Sequence, residues 1–248
     1  MGPHRDFVRF AAVGDLHCTK DSAGSLRAFF AAAAEVADAL LLCGDLTDYG
    51  TAEEAKVLAE ELAAAGSMPI VAVLGNHDYE SDTPDVVRGI LGEAGVRVLD
   101  GEAIEVHGVG IAGVKGFCGG FGRGSLGGWG EHAIKLFVNE AIQEALKLES
   151  ALAKLRTPRR IAMLHYAPVV ATVAGEPPEI FPFLGSSRLE DPLLRHPVTA
   201  VVHGHAHRGT LEGLTVNGIP VYNVAKPLLQ RADPQRPGFR LLDIPREG

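Results

Sequence analysis

Ile70-Val71-Ala72-Val73-Leu74-Gly75-Asn76-His77-Asp78 is an apolar, β-branched run that ends at a glycine and passes directly into three polar residues. Its length and composition are those of a strand buried on both faces, the kind found inside parallel sheets. The turn that follows presents Asn76, a neutral oxygen donor, and His77, an imidazole able to move a proton. Gly-Asn is also a common strand ending, so the weight of this stretch comes from its echoes elsewhere. Residues 7–13 open through Gly14 into Asp15-Leu16-His17, and Leu40-Leu41-Leu42-Cys43 opens through Gly44 into Asp45-Leu46-Thr47-Asp48. Residues 161–164 deliver His165, and residues 199–202 deliver His203-Gly204-His205-Ala206-His207. Alternate residues of an extended segment share a side, so His205 and His207 are spaced for chelation.

Helix patterns separate the first three runs. Ser22 or Ser25 is positioned to cap an Ala-rich helix reaching about Ala37, and Thr51 with Glu54 forms a capping box before a second helix ending near Gly66. This β-α-β-α-β alternation predicts adjacent parallel strands, whose carboxyl ends gather ligands along one rim. Asp15, Asp45 and Asn76 all fall at that rim. Beyond a helix near residues 84–91, the pieces 96–99, 104–106 and 109–112 read as antiparallel strands. A glycine-dense loop at 116–130 leads to a long helix at about 131–156, and the proline-rich stretch 167–182 reads as loop. Ser187 with Glu190 predicts a short capped helix to about Arg195. Strands near 211–216, 221–224 and 239–242 are expected to complete a second sheet. The expected class is α/β, with two packed mixed β-sheets flanked by helices, in one domain spanning residues 1–248.

A chain of 248 residues, 46% of them hydrophobic, can bury roughly three-quarters of its unfolded surface and needs no cross-link or metal merely to fold. A formal net charge of −8 without a dense Lys/Arg run argues against an extended nucleic-acid surface. It does not argue against a small anionic substrate, since bound metal ions set the local field. Cys18, Cys43 and Cys118 are odd in number and lack C-x-x-C spacing, the pattern of a reduced protein. No apolar stretch has the length of a signal sequence or a membrane span. A soluble, cytoplasmic protein with no membrane partner is expected.

Taken in order, Asp15 and His17 fill D-x-H, Gly44, Asp45 and Asp48 fill G-D-x-x-D, and Gly75-Asn76-His77-Asp78 fills G-N-H-D. His165 follows as a lone histidine, and Gly204, His205 and His207 fill G-H-x-H. Together, over most of the chain, these motifs resemble the calcineurin-like metallophosphoesterase family. The resemblance implies that family's fold, two packed β-sheets flanked by helices. It also implies two divalent metal ions, with Mn, Fe, Co or Zn suited to imidazole and carboxylate donors. One ion would be held by Asp15, His17, Asp45 and His207, the other by Asp45, Asn76, His165 and His205, with Asp45 bridging. By the same resemblance a water between the ions is the nucleophile on phosphorus, His77 is a catalytic histidine outside the ligand set, and Asp48 orients it.

The implied reaction is hydrolysis of a small phosphate ester. A phosphodiester, cyclic nucleotides included, is favoured over a nucleotide pyrophosphate or a monoester. A non-catalytic scaffold on the same fold is the reading from another class; retention of every ligand together with His77 and Asp48 stands against it. Protein serine/threonine phosphatases of the superfamily carry Arg directly after the second Asp of G-D-x-x-D. Here Tyr49-Gly50 follows Asp48, which disfavours a phosphoprotein substrate.

Gly122-Arg123-Gly124-Ser125-Leu126-Gly127 spells G-x-G-x-x-G, yet it sits in a glycine run rather than in a strand-to-helix turn, so it is not read as a dinucleotide site. It is expected to be a mobile loop near the substrate, with Arg123 or Trp129 in reach. His203 is read as packing or as support for a ligand, Cys18 and Cys43 as small buried residues, and Asp78 as a brace for its loop.

Overall fold

Strands β1 (Phe7–Val13), β2 (Ala39–Cys43) and β3 (Ile70–Val73) are almost entirely buried and pair in parallel, β1 with β2 and β2 with β3. This follows from the apolar runs, whose every side chain needs a protein neighbour. The computed structural model describes residues 6–235 and 237–246. The connecting helices are α1 (Arg27–Val36) and α2 (Ala52–Leu62), and α3 (Pro84–Glu93) follows β3. Thr51 and Glu54 form the capping box of α2. Neither Ser22 nor Ser25 caps α1. The role falls to Glu61 on α2, whose buried carboxylate accepts the Leu26 and Arg27 N–H groups at 2.8 and 3.0 Å. A carboxylate from another helix can satisfy orphan N–H groups as well as a local serine can, and local sequence does not reveal it.

β4 (Arg97–Val98) is not antiparallel as expected: it pairs in parallel with β3 and extends the first sheet. β5 (Glu102–Val106) and β6 (Val109–Gly113) do form an antiparallel hairpin, but β6 then pairs in parallel with β7 (Arg160–Met163). The long helix α4 (His132–Lys154) makes that crossover. Within the proline-rich stretch lie short turns of helix at Val170–Thr172 and Pro178–Ile180, followed by α5 (Phe181–Leu184). Ser186, not Ser187, caps the turn leading into α6 (Glu190–Arg195), accepting the Arg188 N–H at 3.3 Å. β8 (Ala200–His203), β9 (Glu212–Leu214) and β10 (Pro220–Asn223) complete the second sheet, and α7 (Lys226–Ala232), not anticipated, leaves β10.

The last strand, β11 (Arg240–Pro245), lies in the first sheet rather than the second, antiparallel to β1. It alternates, sending Leu242 and Ile244 into the intersheet core while Asp243 holds Arg9 at 2.6 Å. That is the pattern of an edge strand with one wet face. The sheet orders are therefore β11-β1-β2-β3-β4 and β5-β6-β7-β8-β10-β9. Side chains from both sheets, among them Phe10, Leu41, Val73, Ile111, Met163 and Val202, form the layer between them. α1, α2 and α3 cover the outer face of the first sheet, and α4 and α6 that of the second. Two mixed β-sheets flanked by helices is the architecture. β1, β2, β3, β7 and β8 all end at one rim, where the loops carrying the motifs meet.

Candidate metal centre

The motif residues converge there from five separate loops. Ligand-type atoms of Asp15, His17 and His207 lie within 4.8 Å of one another, as do those of Asp45, His165 and His205, and those of His17, Asp45 and His77. Asn76 joins the second group, its Oδ1 standing 3.0 Å from His165 Nε2. Asp48 joins the first, its Oδ1 3.0 Å from His17 Nδ1. Asp45 lies between the groups, with Oδ1 3.3 Å from His165 Nε2 and Oδ2 4.0 Å from His17 Nε2.

Backbone strain marks the same residues. Among the described residues six non-glycines have positive φ, and four are Asp15 (58°), His17 (46°), Asp45 (49°) and His205 (68°). Each costs about 1–2 kcal/mol against the ordinary right-handed conformation. The left-handed turns swing these side chains off the strand ends and toward a common centre. The motif glycines have a steric reason: a Cβ on Gly75 would strike the Asp45 amide and Oδ1, and one on Gly204 would strike Asp15 Oδ2. Asp78, fully buried, braces the two loops together. Its carboxylate accepts the N–H groups of Gly75 (2.8 Å), Leu46 (3.2 Å) and Thr47 (2.8 Å) and the Thr47 hydroxyl (2.6 Å).

Three of the candidate ligand histidines have one ring nitrogen held by a carboxylate or carbonyl oxygen outside the ligand set. His17 donates Nδ1–H to the Asp48 carboxylate, His165 donates Nδ1–H to the Cys43 carbonyl at 2.9 Å, and His205 donates Nε2–H to the Phe183 carbonyl at 3.1 Å. Such bonds fix the tautomer and leave the other nitrogen as a lone pair for a cation. His77 donates Nδ1–H to the Asp48 carbonyl oxygen at 2.7 Å, and the Asp48 carboxylate stands 3.8 Å from the same nitrogen. Asp48 therefore meets His77 through its main chain and turns its carboxylate toward His17.

Burial works against charge on Asp45 and His165 alike, but their mutual attraction wins. The Asp45 carboxyl is held well below the usual range, and the His165 imidazole rises to about 9. Burial, with the His165 charge nearby, pushes His205 down to about 4, while the hydrogen bond to Asp15 raises His207.

The donor set fits a pair of divalent ions. His17 Nε2 is buried without a partner, a costly arrangement unless something fills the space beside it. Two ligand atoms at about 2.0–2.1 Å from one ion stand roughly 2.9–3.4 Å apart. The separations His207 Nε2 to Asp15 Oδ1 (2.9 Å), His165 Nε2 to Asn76 Oδ1 and His165 Nε2 to Asp45 Oδ1 all fall there.

The sequence profile of the calcineurin-like phosphoesterase family matches residues 8–209. The chain belongs to that family. It is accordingly a metal-dependent phosphoesterase, a hydrolase of phosphate esters. No curated protein sequence matches it. Among solved structures it resembles the phosphopantetheinyl hydrolase of Mycobacterium tuberculosis, with TM-score 0.66, 15% identity and 96% of both chains covered. It also resembles Plasmodium GAP50, described as the anchor in the inner membrane complex, with TM-score 0.55, 15% identity and 89% of this chain and 72% of that one covered. A putative 5′-nucleotidase of Staphylococcus aureus gives TM-score 0.54, 14% identity and coverage of 88% and 48%. Identities this low speak to the fold alone.

His203, fully buried, donates Nδ1–H to the Gly204 carbonyl (2.8 Å) and accepts the Thr172 hydroxyl at Nε2 (2.7 Å), packing behind the G-H-x-H turn. The three cysteines are buried and free. The glycine-dense loop is tied down: Gly119 N–H donates to Pro182 O, and Gly120 N–H to Gly185 O. Sequence reasoning missed Lys115. It is buried at the end of β6, with its ammonium 4.8–5.4 Å from the rings of Tyr79, Phe117 and Tyr166, and its carbonyl accepts the His165 N–H at 3.0 Å. It also missed the Phe183 carbonyl on His205. No local pattern announces either contact. Among the described residues no helix is long and apolar enough to cross a membrane.

Proposed function

We propose that the chain hydrolyses small phosphodiesters, cyclic nucleotides among them, with two divalent cations. The first would be held by Asp15, His17, Asp45 and His207, the second by Asp45, Asn76, His165 and His205, and manganese, iron or zinc suits such donors. The observation that carries this reading is the buried, partnerless His17 Nε2 at the meeting point of five strand-end loops. When bound, the cations supply charge neutralisation for the phosphoryl oxygens and an acidified water as nucleophile. His77, fixed through Nδ1 and 39% exposed on its side chain, is aimed by the Asp48 carbonyl to donate a proton to the leaving oxygen. Asp48 acts through His17 as well, holding the tautomer that frees Nε2.

Tyr49-Gly50 in place of an arginine after Asp48 supports a singly charged diester over a dianionic phosphoprotein. The likeness to a phosphopantetheinyl hydrolase favours an organic phosphate ester in the same sense. Three free, buried cysteines support a reducing, cytoplasmic setting. Monoester or pyrophosphate hydrolysis is the alternative, favoured by the likeness to a putative 5′-nucleotidase. A non-catalytic role is the other, suggested by the anchor protein sharing the fold.

The test is metal content and turnover of bis(p-nitrophenyl) phosphate against p-nitrophenyl phosphate. His77→Ala is expected to retain both metals and lose roughly 10²–10⁴-fold in kcat, and Asp45→Ala to lose metal and activity together. A parent protein with less than one ion per chain under metal-replete conditions refutes the reading.

A further inference from the structure

Two solvent-exposed aromatic residues belong to segments whose backbones adjoin the candidate metal centre. Phe183 is 59% exposed and Tyr49 58% exposed, and each is wired to a pocket residue. Phe183 gives its carbonyl to His205, while Tyr49 directly follows Asp48, which contacts both His17 and His77. A single exposed ring is ordinary on a protein surface. These two differ in having braced backbones. α5 buries Leu184 and half-buries Phe181 against Ala167, Val173 and Ala206 and leaves Phe183 outside. The same segment is pinned by Gly119 N–H to Pro182 O at 2.7 Å and Ala167 N–H to Leu184 O at 3.0 Å. Tyr49 donates its N–H to Glu54 Oε2 at 2.9 Å and accepts from Ser81 Oγ at 2.6 Å. Neither ring contributes to a core cluster, so packing does not account for them. Held backbones carrying free rings are what a stacking surface needs, because little freedom is lost when a flat group settles on it.

We propose that Phe183 and Tyr49 are specificity-determining residues that receive the flat heteroaromatic part of the substrate, making a nucleoside phosphodiester the preferred ester. The inference rests on the phosphodiesterase reading above and narrows its substrate class. Phe183 serves the flank next to His205, where the Tyr166 ring already packs at 4.5 Å, and Tyr49 serves the flank next to His77. Neither touches the reacting atoms.

The experiment compares two diesters, 2′,3′-cyclic AMP and the ring-free glycerophosphoethanolamine, in the metal-loaded protein, with metal content measured in the same samples. It also measures binding of AMP and methyl phosphate by calorimetry. In the parent AMP binds at least about tenfold more tightly than methyl phosphate, as one stacked base allows. In Phe183→Ala the KM for the cyclic nucleotide rises about tenfold relative to that for the ring-free diester, and Phe183→Tyr restores the ratio. Combining Phe183→Ala with Tyr49→Ala removes the AMP advantage. Equal changes on both diesters, no change on either, or AMP binding no better than methyl phosphate overturns the proposal. If the parent cleaves neither diester, the phosphodiesterase reading fails on its own, and the AMP and methyl phosphate isotherms still decide the stacking surface.

Discussion

Asp48→Ala separates two jobs that one residue performs with different atoms. The carboxylate meets His17 Nδ1 at 3.0 Å, whereas the atom that meets His77 Nδ1, at 2.7 Å, is the main-chain carbonyl. Truncating the side chain removes the first contact and leaves the second in place. His17 then loses the bond that fixes its tautomer, and its partnerless Nε2 is no longer held as the lone pair facing the first cation position. Loss of a carboxylate supporting a metal-bound histidine typically weakens metal binding 10- to 100-fold, about 1.4–2.7 kcal/mol. The side chains are partly exposed, 22% for His17 and 27% for Asp48, which points to the lower half of that range. The assay is activity against free metal concentration, set by a metal buffer, with kcat read at saturation. The expected result is a 10- to 30-fold higher metal requirement and a kcat at saturating metal within about threefold of the parent. Asp48→Asn, which keeps an acceptor and loses the charge, falls between. An unchanged metal requirement with a 100-fold loss of saturated kcat would refute the division of labour and return the carboxylate to His77.

Glu61→Gln removes one acceptor from the carboxylate that takes the Gly24, Leu26 and Arg27 N–H groups, and is expected to lower stability by about 1–3 kcal/mol at pH 7. Burial opposes the charge of Glu61, but these donors hold its pKa below the usual value. Its contribution is therefore present above the unfolded pKa and is lost as pH falls through the folded one, so urea unfolding of chelator-treated variant should show a flatter loss between pH 5 and 3. Metal loading at pH 7.5 should release about one proton from His165, whose pKa of about 9 in the metal-free chain must be overcome; calorimetry in buffers of different ionisation enthalpy reads this, and pH-independent affinity between pH 6 and 8 would count against it. At position 17, where φ is 46°, His17→Gly should be more stable than His17→Ala by about 1 kcal/mol in the chelated protein, reversing the usual order. Alanine equal to glycine in urea melts would mean that the left-handed turn carries no strain.

The inner strands were legible because they are built on apolar runs, interrupted only by Arg9 in β1 and Arg160 at the start of β7: β1, β2, β3 and β7 lie within a residue or two of those runs. The capping box of α2 was legible because both partners are three residues apart. What escaped depends on partners distant in sequence. β11 follows a short apolar run that would suit either sheet, and its place beside β1 is decided by Leu242 and Ile244 entering the intersheet layer some 230 positions from their neighbours. Glu61 as the cap of α1 and Phe183 as the support of His205 are likewise tertiary contacts. The candidate ligand loops were the most legible part, since four of the five repeat one local event, an apolar strand that opens through glycine into a polar residue, and the fifth delivers His165 directly from its strand. Nothing local, however, signals that Asp48 splits its oxygens between two histidines.

The left-handed residues and the braces around them bear on how the centre acquires its cations. Asp15, His17, Asp45 and His205 sit in conformations each costing about 1–2 kcal/mol. The contacts that hold the loops are independent of any ion: Asp78 collects donors from Gly75, Leu46 and Thr47, Asp45 accepts the His77 N–H at 2.9 Å, and Asp15 accepts the His205 N–H at 3.0 Å. If the ions were needed to shape these loops, part of the binding free energy would go into ordering backbone. Here the hydrogen bonds of buried carboxylates and the packing of two sheets behind them have already set the conformation. Cation affinity is then spent mainly on displacing the His165 proton and filling the space beside His17 Nε2.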